Sequence, residues 1–251
     1  MKYNFISNRV NSIKPSPTIA VTTKARELKA AGKDVIGLGA GEPDFDTPEH
    51  IKKSAIKAIE MGKTKYTAVD GIPELKEAIC EKFLRDNKIT FDINEISVGA
   101  GGKQVLFNAL LATVNKGDEV IIPAPYWVSY PDMVVIAEGI PVILDTSIES
   151  DFKVSPDQLR KAITEKTKWI IINSPSNPTG SCYSVDELKE IGKILDEFPH
   201  VGFISDDIYE KIVYDDFKFS TLATMIPQHK ERILTVNGVS KAYSMTGWRI
   251  G

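Results

Sequence analysis

Trp169-Ile-Ile-Ile-Asn173-Ser-Pro-Ser-Asn177-Pro-Thr-Gly180-Ser-Cys-Tyr-Ser184-Val-Asp-Glu187-Leu-Lys-Glu-Ile191-Gly-Lys-Ile-Leu195-Asp-Glu-Phe-Pro-His-Val201-Gly-Phe-Ile-Ser205-Asp206 reads as a strand, a turn, a helix and a second strand. The run 169–172 is apolar without alternation, the pattern of a strand covered on both faces. Turn-forming residues follow it. Ser184, with Glu187 three positions on, has the spacing of a capping box and opens an amphipathic segment over 184–198. A second apolar run, 201–205, closes the unit on a carboxylate. Two such strands joined by one helix predict parallel pairing through a helical crossover.

The same alternation extends in both directions. Runs at 96–98, 119–122, 141–144 and 233–236 are short and β-rich, and 103–115 has helical spacing, with apolar residues at 105, 106, 109 and 110. The expected fold is α/β, a mostly parallel sheet with helices on both faces. The first fifty residues differ. Segments 14–17 and 43–48 are Lys/Ser/Pro or Pro/Asp in character and flank one helix over 19–31, stopped by Gly32. Two further helices are expected within 48–88, around Gly71-Ile-Pro73. Residues 1–47 are therefore expected to form an arm and a small-domain piece, and 48–251 the main ligand-binding domain.

Bulk properties exclude several function classes. The 251 residues are 42% hydrophobic and 26% charged, which supplies a core and argues against disorder. Thirty-one basic against 34 acidic residues, with no block of one sign, recommend neither nucleic acid nor an anionic membrane as partner. No segment has the roughly 18 apolar residues of a membrane span. Cys80 and Cys182 lie far apart, and His50, His200 and His229 are isolated, so no zinc site or disulfide framework is suggested. A cytoplasmic setting is expected.

Open parallel sheets bind ligands at the carboxyl ends of their strands. At that edge the sequence places Gly99-Ala-Gly-Gly-Lys103, Pro123-Ala-Pro-Tyr-Trp127, Asn173 to Gly180, Asp206-Asp-Ile-Tyr209 and Gly238-Val-Ser-Lys241. The glycine run is either a turn needing positive φ or a phosphate site, in which free N–H groups of Gly102 and Lys103 face an anion. It is not a nucleotide loop, because Ser97 and Gln104 break that template, and Glu42 likewise breaks a dinucleotide fingerprint at 37–42. Trp127 either packs under a loop or stacks on a planar ligand, and Asn177 either builds a turn or offers its amide to one. Asp206, at the mouth of a buried strand, needs donors or a cation to offset desolvation. A protonated pyridine nitrogen is one such cation.

The stretch 238–251, Gly-Val-Ser-Lys-Ala-Tyr-Ser-Met-Thr-Gly-Trp-Arg-Ile-Gly, resembles the lysine attachment signature of class I and II pyridoxal-phosphate-dependent aminotransferases. The resemblance covers essentially the whole chain. Lys14-Pro-Ser, Ala40-Gly-Glu-Pro-Asp-Phe45, Lys65-Tyr66, Gly101-Gly-Lys-Gln104, Pro125 to Pro131, Asn173 to Gly180 and Ser205-Asp-Asp-Ile-Tyr209 are similar, in order, to the bacterial aspartate aminotransferase subgroup. One departure within the motifs is Asp207, where glutamate is common.

What the resemblance implies is specific. The fold would be fold type I of pyridoxal-phosphate enzymes. Lys241 would carry the cofactor as a Schiff base and then act as general acid and base. Asp206 would pair with the ring nitrogen, Tyr209 and Asn177 would hydrogen-bond the ring oxygen, and Trp127 would stack on the ring. Gly102, Lys103, Arg249, and Tyr66 from a second subunit would hold the phosphate, so a homodimer is implied. Gly41, Trp127, Asn177 and Lys14 would meet the substrates, an amino acid such as aspartate or glutamate and a 2-oxo acid, prephenate included.

Family members continue well beyond Gly-Trp-Arg-Ile-Gly, and their arginine for the substrate α-carboxylate lies in that continuation. The strand beginning at 249 is expected inside the sheet, between the first strand and the strand before Lys241, so a chain truncated there would have an interior gap. An inactive remnant and a cofactor-binding, non-catalytic domain stand as alternatives to an active aminotransferase.

Overall fold

The computed structural model describes residues 5–251. Its sheet consists of β1 (Glu119–Ala124), β2 (Ile140–Asp145), β3 (Thr167–Asn173), β4 (Gly202–Asp206) and β5 (Ile233–Val236). They are ordered β2-β1-β3-β4-β5, and every neighbouring pair is parallel. The helices, in chain order, are α1 (Asn8–Asn11), α2 (Pro17–Ala30), α3 (Glu49–Glu60), α4 (Pro73–Lys82), α5 (Gly102–Thr113) and α6 (Ser129–Ile136). After them come α7 (Pro156–Ala162), α8 (Val185–Gly192), α9 (Ile194–Glu197), α10 (Leu222–Met225) and α11 (Val239–Ala242).

The central apolar strands β1, β3 and β4 bury both of their faces, while the edge strand β2 leaves Ile140 and Ile143 exposed. Ile121, Ile170, Ile172 and Phe203 enter one core with Leu159 of α7, Leu188 and Ile191 of α8, and Leu195 of α9. Val120, Ile122, Ile171 and Ile204 enter a second core with Leu106 and Leu110 of α5 and Met133 and Val134 of α6. Period-two alternation thus distributes β1, β3 and β4 between two helical layers. Each side chain so buried contributes about 1.5–3 kcal/mol. Among the described residues the first buried one is Lys76 and the last Met245, while α1, α2 and α3 bury none.

Local expectations are mostly met. Ser184 accepts from the Glu187 N–H at 3.3 Å and Glu187 accepts from the Ser184 N–H at 2.7 Å, closing the box that starts α8. Gly32 ends α2 with φ +77°. Two readings need correction. The single helix expected over 184–198 is two, α8 and α9, divided at Lys193, where Gly192 lies against Ile226 so closely that a Cβ would sit 2.4 Å from it. The expected strand 96–98 is irregular. The Val98 N–H bonds to the Asp70 carbonyl at 2.9 Å, and only Gly99 finds a strand-like partner, exchanging bonds of 2.8 and 3.1 Å with Gly251. An apolar run becomes a strand only where a neighbour offers matching groups along its length. Ile250 in turn accepts from the Val239 N–H at 3.3 Å, so residues 250–251 stand between Gly99 and the start of α11, beyond the ends of run 96–98 and β5 between which the segment was expected.

Candidate active site

Register brings the polar strand ends together. Asn173, the last residue of β3, stands beside Asp206, the last of β4. The Asn173 amide donates to the Asp206 carbonyl and its oxygen accepts from the Asn177 N–H, both at 2.8 Å. This ties down the loop after β3, and Asn177 Nδ2 donates to the Tyr209 hydroxyl at 3.2 Å.

Asp206 is 4% exposed. Tyr130 donates to its Oδ2 at 2.6 Å and the Ile208 N–H to its Oδ1 at 3.3 Å. Burial lifts its pKa to about 6, against the lowering effect of these two donors. No cation pairs with it among the described residues. Tyr130, on α6, meets Trp127 edge to face with centroids 5.3 Å apart, and the Lys103 ammonium lies 4.9 Å from the Trp127 ring.

A second cluster surrounds the start of α5. Gly101 has φ +90°, a backbone conformation that favours glycine, and the tip of Arg249 lies where a Cβ would stand. Beyond it the N–H groups of Gly102 and Lys103 find no acceptor among the described residues. They lie at a helix N-terminus, whose dipole favours an anion. Arg249 reaches the same corner, donating to the carbonyls of Thr246 at 2.9 Å and Ala100 at 3.3 Å.

Lys241, in α11 directly after β5, donates to the Gly41 carbonyl and lies 6.0 Å from the Tyr209 ring centroid. Desolvation lowers its pKa; Glu42 opposes this and Arg249 adds to it. The segment before α3 is fixed here by Thr246 donating to Glu42 at 3.0 Å and Thr47 to the Ser244 carbonyl at 2.6 Å.

The edge therefore assembles Gly102, Lys103, Trp127, Asn177, Asp206, Tyr209, Lys241, Arg249 and Gly41. It does not bring in Tyr66, fully exposed between α3 and α4, or Lys14, exposed between α1 and α2; neither has a hydrogen bond or ion pair among the described residues. Three contributors escaped the sequence reading: Tyr130, Asn173 and Glu42. Tyr130 carried a signal, standing three residues after Trp127 and so one helical turn away. Asn173 looked like the first residue of a turn, and Glu42 is brought in by contacts some 200 residues apart in the chain.

The profile of the aminotransferase class I and II family matches residues 33–251. The chain belongs to this family. Among class I and II aminotransferases it is 62% identical over 248 residues to a probable aspartate/prephenate aminotransferase of Rickettsia felis, a match that covers 99% of this chain and 61% of that protein. It is 62% identical over 247 residues to the aspartate/prephenate aminotransferase of Cereibacter sphaeroides, covering 98% of this chain and 62% of that one. The chain thus spans about three fifths of the length of these relatives. The aspartate aminotransferase of Rhizobium meliloti superposes with a TM-score of 0.95 at 52% identity, over 99% of this chain and 62% of that chain. The Thermus thermophilus enzyme with maleate gives 0.94 at 47% identity, over 99% and 64%. The aminotransferase fold expected from the motifs is therefore the fold of this chain.

Proposed function

We propose that this chain carries the pyridoxal-phosphate site of an aminotransferase that moves an amino group between aspartate or glutamate and a 2-oxo acid, with prephenate as a further acceptor. The names of its relatives support the substrate classes. The observation that carries the reading is the convergence of Lys241 and a buried, cation-free Asp206 with an open anion corner at Gly102, Lys103 and Arg249.

The donor set fits the cofactor. Asp206 is a buried carboxylate in need of a cation, which a protonated pyridine nitrogen supplies. The cradle formed by Gly101, where a Cβ would strike Arg249, leaves free N–H groups for a phosphate. Pyridoxal phosphate, when bound, supplies a carbonyl carbon that condenses with amines and a ring that accepts an electron pair.

The protein's own groups do the rest. Lys241, with its pKa lowered by desolvation, presents more free amine for attachment, and once displaced by the substrate amine it moves the proton at the substrate α-carbon through Nζ. Asp206 holds the ring nitrogen protonated. Asn177 and Tyr209, already in contact, present an N–H and an O–H to the ring oxygen. Trp127 covers one ring face and excludes water from it. Gly102, Lys103 and Arg249 anchor the phosphate, with Tyr66 of a second copy completing the site in a homodimer. Gly41 would meet the substrate, and so would Lys14 if it is brought to the edge from its exposed place between α1 and α2. Free Cys80 and Cys182 suit a reducing, cytoplasmic setting.

Borohydride reduction in the presence of pyridoxal phosphate, followed by peptide mass spectrometry, tests the assignment. The expected result is a cofactor adduct on Lys241 that Lys241→Ala abolishes. Adducts spread over surface lysines, or undiminished in Lys241→Ala, would sink it. Assays of amino transfer from aspartate and glutamate to 2-oxo acids and prephenate then define the substrates.

A further inference from the structure

We propose that Tyr130 is a positioning residue of this site, its hydroxyl holding the Asp206 carboxylate in the orientation and ionised state that a protonated ring nitrogen requires. The assignment rests on the pyridoxal-phosphate reading above and extends it to a residue outside the cofactor's own contacts.

Three features of the geometry converge on Tyr130. It is 2% exposed, and its hydroxyl donates to Asp206 Oδ2 at 2.6 Å, in the range of a charge-assisted bond. The other side-chain contact of Asp206, from the Ile208 N–H, is longer at 3.3 Å, so the tyrosine is its stronger donor. The Tyr130 ring also abuts Trp127 edge to face, and its N–H bonds to the Trp127 carbonyl at 3.0 Å. A single side chain thus links the stacking ring after β1 to the carboxylate ending β4.

Asp206 sits among few titratable groups. They are Tyr130 on α6 and Asp207 and Tyr209 on its own segment; the end of β3 brings only the amides of Asn173 and Asn177, while Lys241 and Lys103 stand further out, against the rings of Tyr209 and Trp127. Burial, then the Asp206 charge, pushes the Tyr130 phenol well above its ordinary range, so it stays a donor throughout the neutral range. Loss of that donor leaves Asp206 more prone to keep a proton, and a neutral Asp206 gives the ring nitrogen no counter-charge.

The test is the dissociation constant of pyridoxal phosphate, read by tryptophan fluorescence quenching from about pH 5 to about pH 8, for the wild-type protein and Tyr130→Phe. Tyr130→Phe keeps the ring and its packing. Its acid limb of binding should move up by about one pH unit, with binding about fivefold weaker near pH 6, approaching tenfold near pH 5, and within about twofold of wild type near pH 8. The phosphate's own proton, lost near pH ~6, affects both proteins alike, so the difference between them reports Asp206. An unmoved limb, or weakening by the same factor at every pH, overturns the role of Tyr130. A wild-type protein that does not bind the cofactor overturns the reading of the site itself. A second readout leaves Tyr130 intact: in Asp206→Asn the hydroxyl loses its anionic acceptor, and the tyrosine resonance Raman doublet should report one weaker donor. An unchanged doublet also overturns the proposal.

Discussion

Asp206 and Asp207 are adjacent, both buried at the end of β4, and they face different surroundings. The Asp206 carboxylate accepts from Tyr130 and the Ile208 N–H, and its carbonyl is tied through Asn173 to Asn177 and Tyr209. Asp207 accepts from Ser205 at 2.7 Å, while its Oδ2 and the nearby Thr221 hydroxyl, both buried, complete no hydrogen bond among the described residues. Burial lifts Asp207 to about 8, against about 6 for Asp206. Beside it Glu210 is held by Lys82 at 2.6 Å and by the Asn87 amide at 3.2 Å. One acid is thus mostly neutral at physiological pH, another is paired with Lys82, and Asp206 ionises near neutrality with no cation paired to it among the described residues. Burial alone does not make a working carboxylate; what stands across from it decides.

The comparison breaks most visibly at Asp206. On the proposed function, Asp206→Asn should reduce amino transfer by about 10²–10⁴-fold, because a bound ring would lose its counter-charge, and should leave the melting temperature nearly unchanged. A steady-state rate within a few-fold of wild type would erase the distinction. Glu210→Ala should act in the opposite sense, costing about 2–4 kcal/mol in urea unfolding by stranding the mostly buried Lys82, while cofactor affinity changes little. The smallest effect belongs to Asp207. Both raised acids favour the folded state fully below about pH 4, and this contribution is lost as pH rises through about 6 for Asp206 and about 8 for Asp207. Urea unfolding of the cofactor-free protein should therefore show stability falling across that window. Asp207→Asn, whose amide can donate to Thr221, should flatten the alkaline part and gain about 1 kcal/mol above pH ~8. A loss of stability there would mean that Asp207 is charged and paired.

Much of this was legible in the sequence. Continuous apolar runs marked five strands because burial on both faces removes polar alternation, and a capping box marked the start of α8 because its two side-chain bonds are local. Strand ends then located most of the site, since a parallel sheet delivers its loops to one edge. What escaped depends on contacts between distant segments. The run 96–98 has the composition of a strand, but the partner groups of a strand are absent along it. Gly192 reads as an ordinary helical glycine until Ile226 closes on it. Tyr130 reads as core, and only its pairing with a residue 76 positions away gives it a second use.

Arg249 is not idle in the structure, since its guanidinium already spans the carbonyls of Thr246 and Ala100. Those two bonds use one N–H on each terminal nitrogen and leave three of the five guanidinium donors free. The arginine is therefore held in place by backbone before any anion arrives. A phosphate dianion can engage the remaining guanidinium donors and the free N–H groups of α5 together, at little further cost in side-chain ordering.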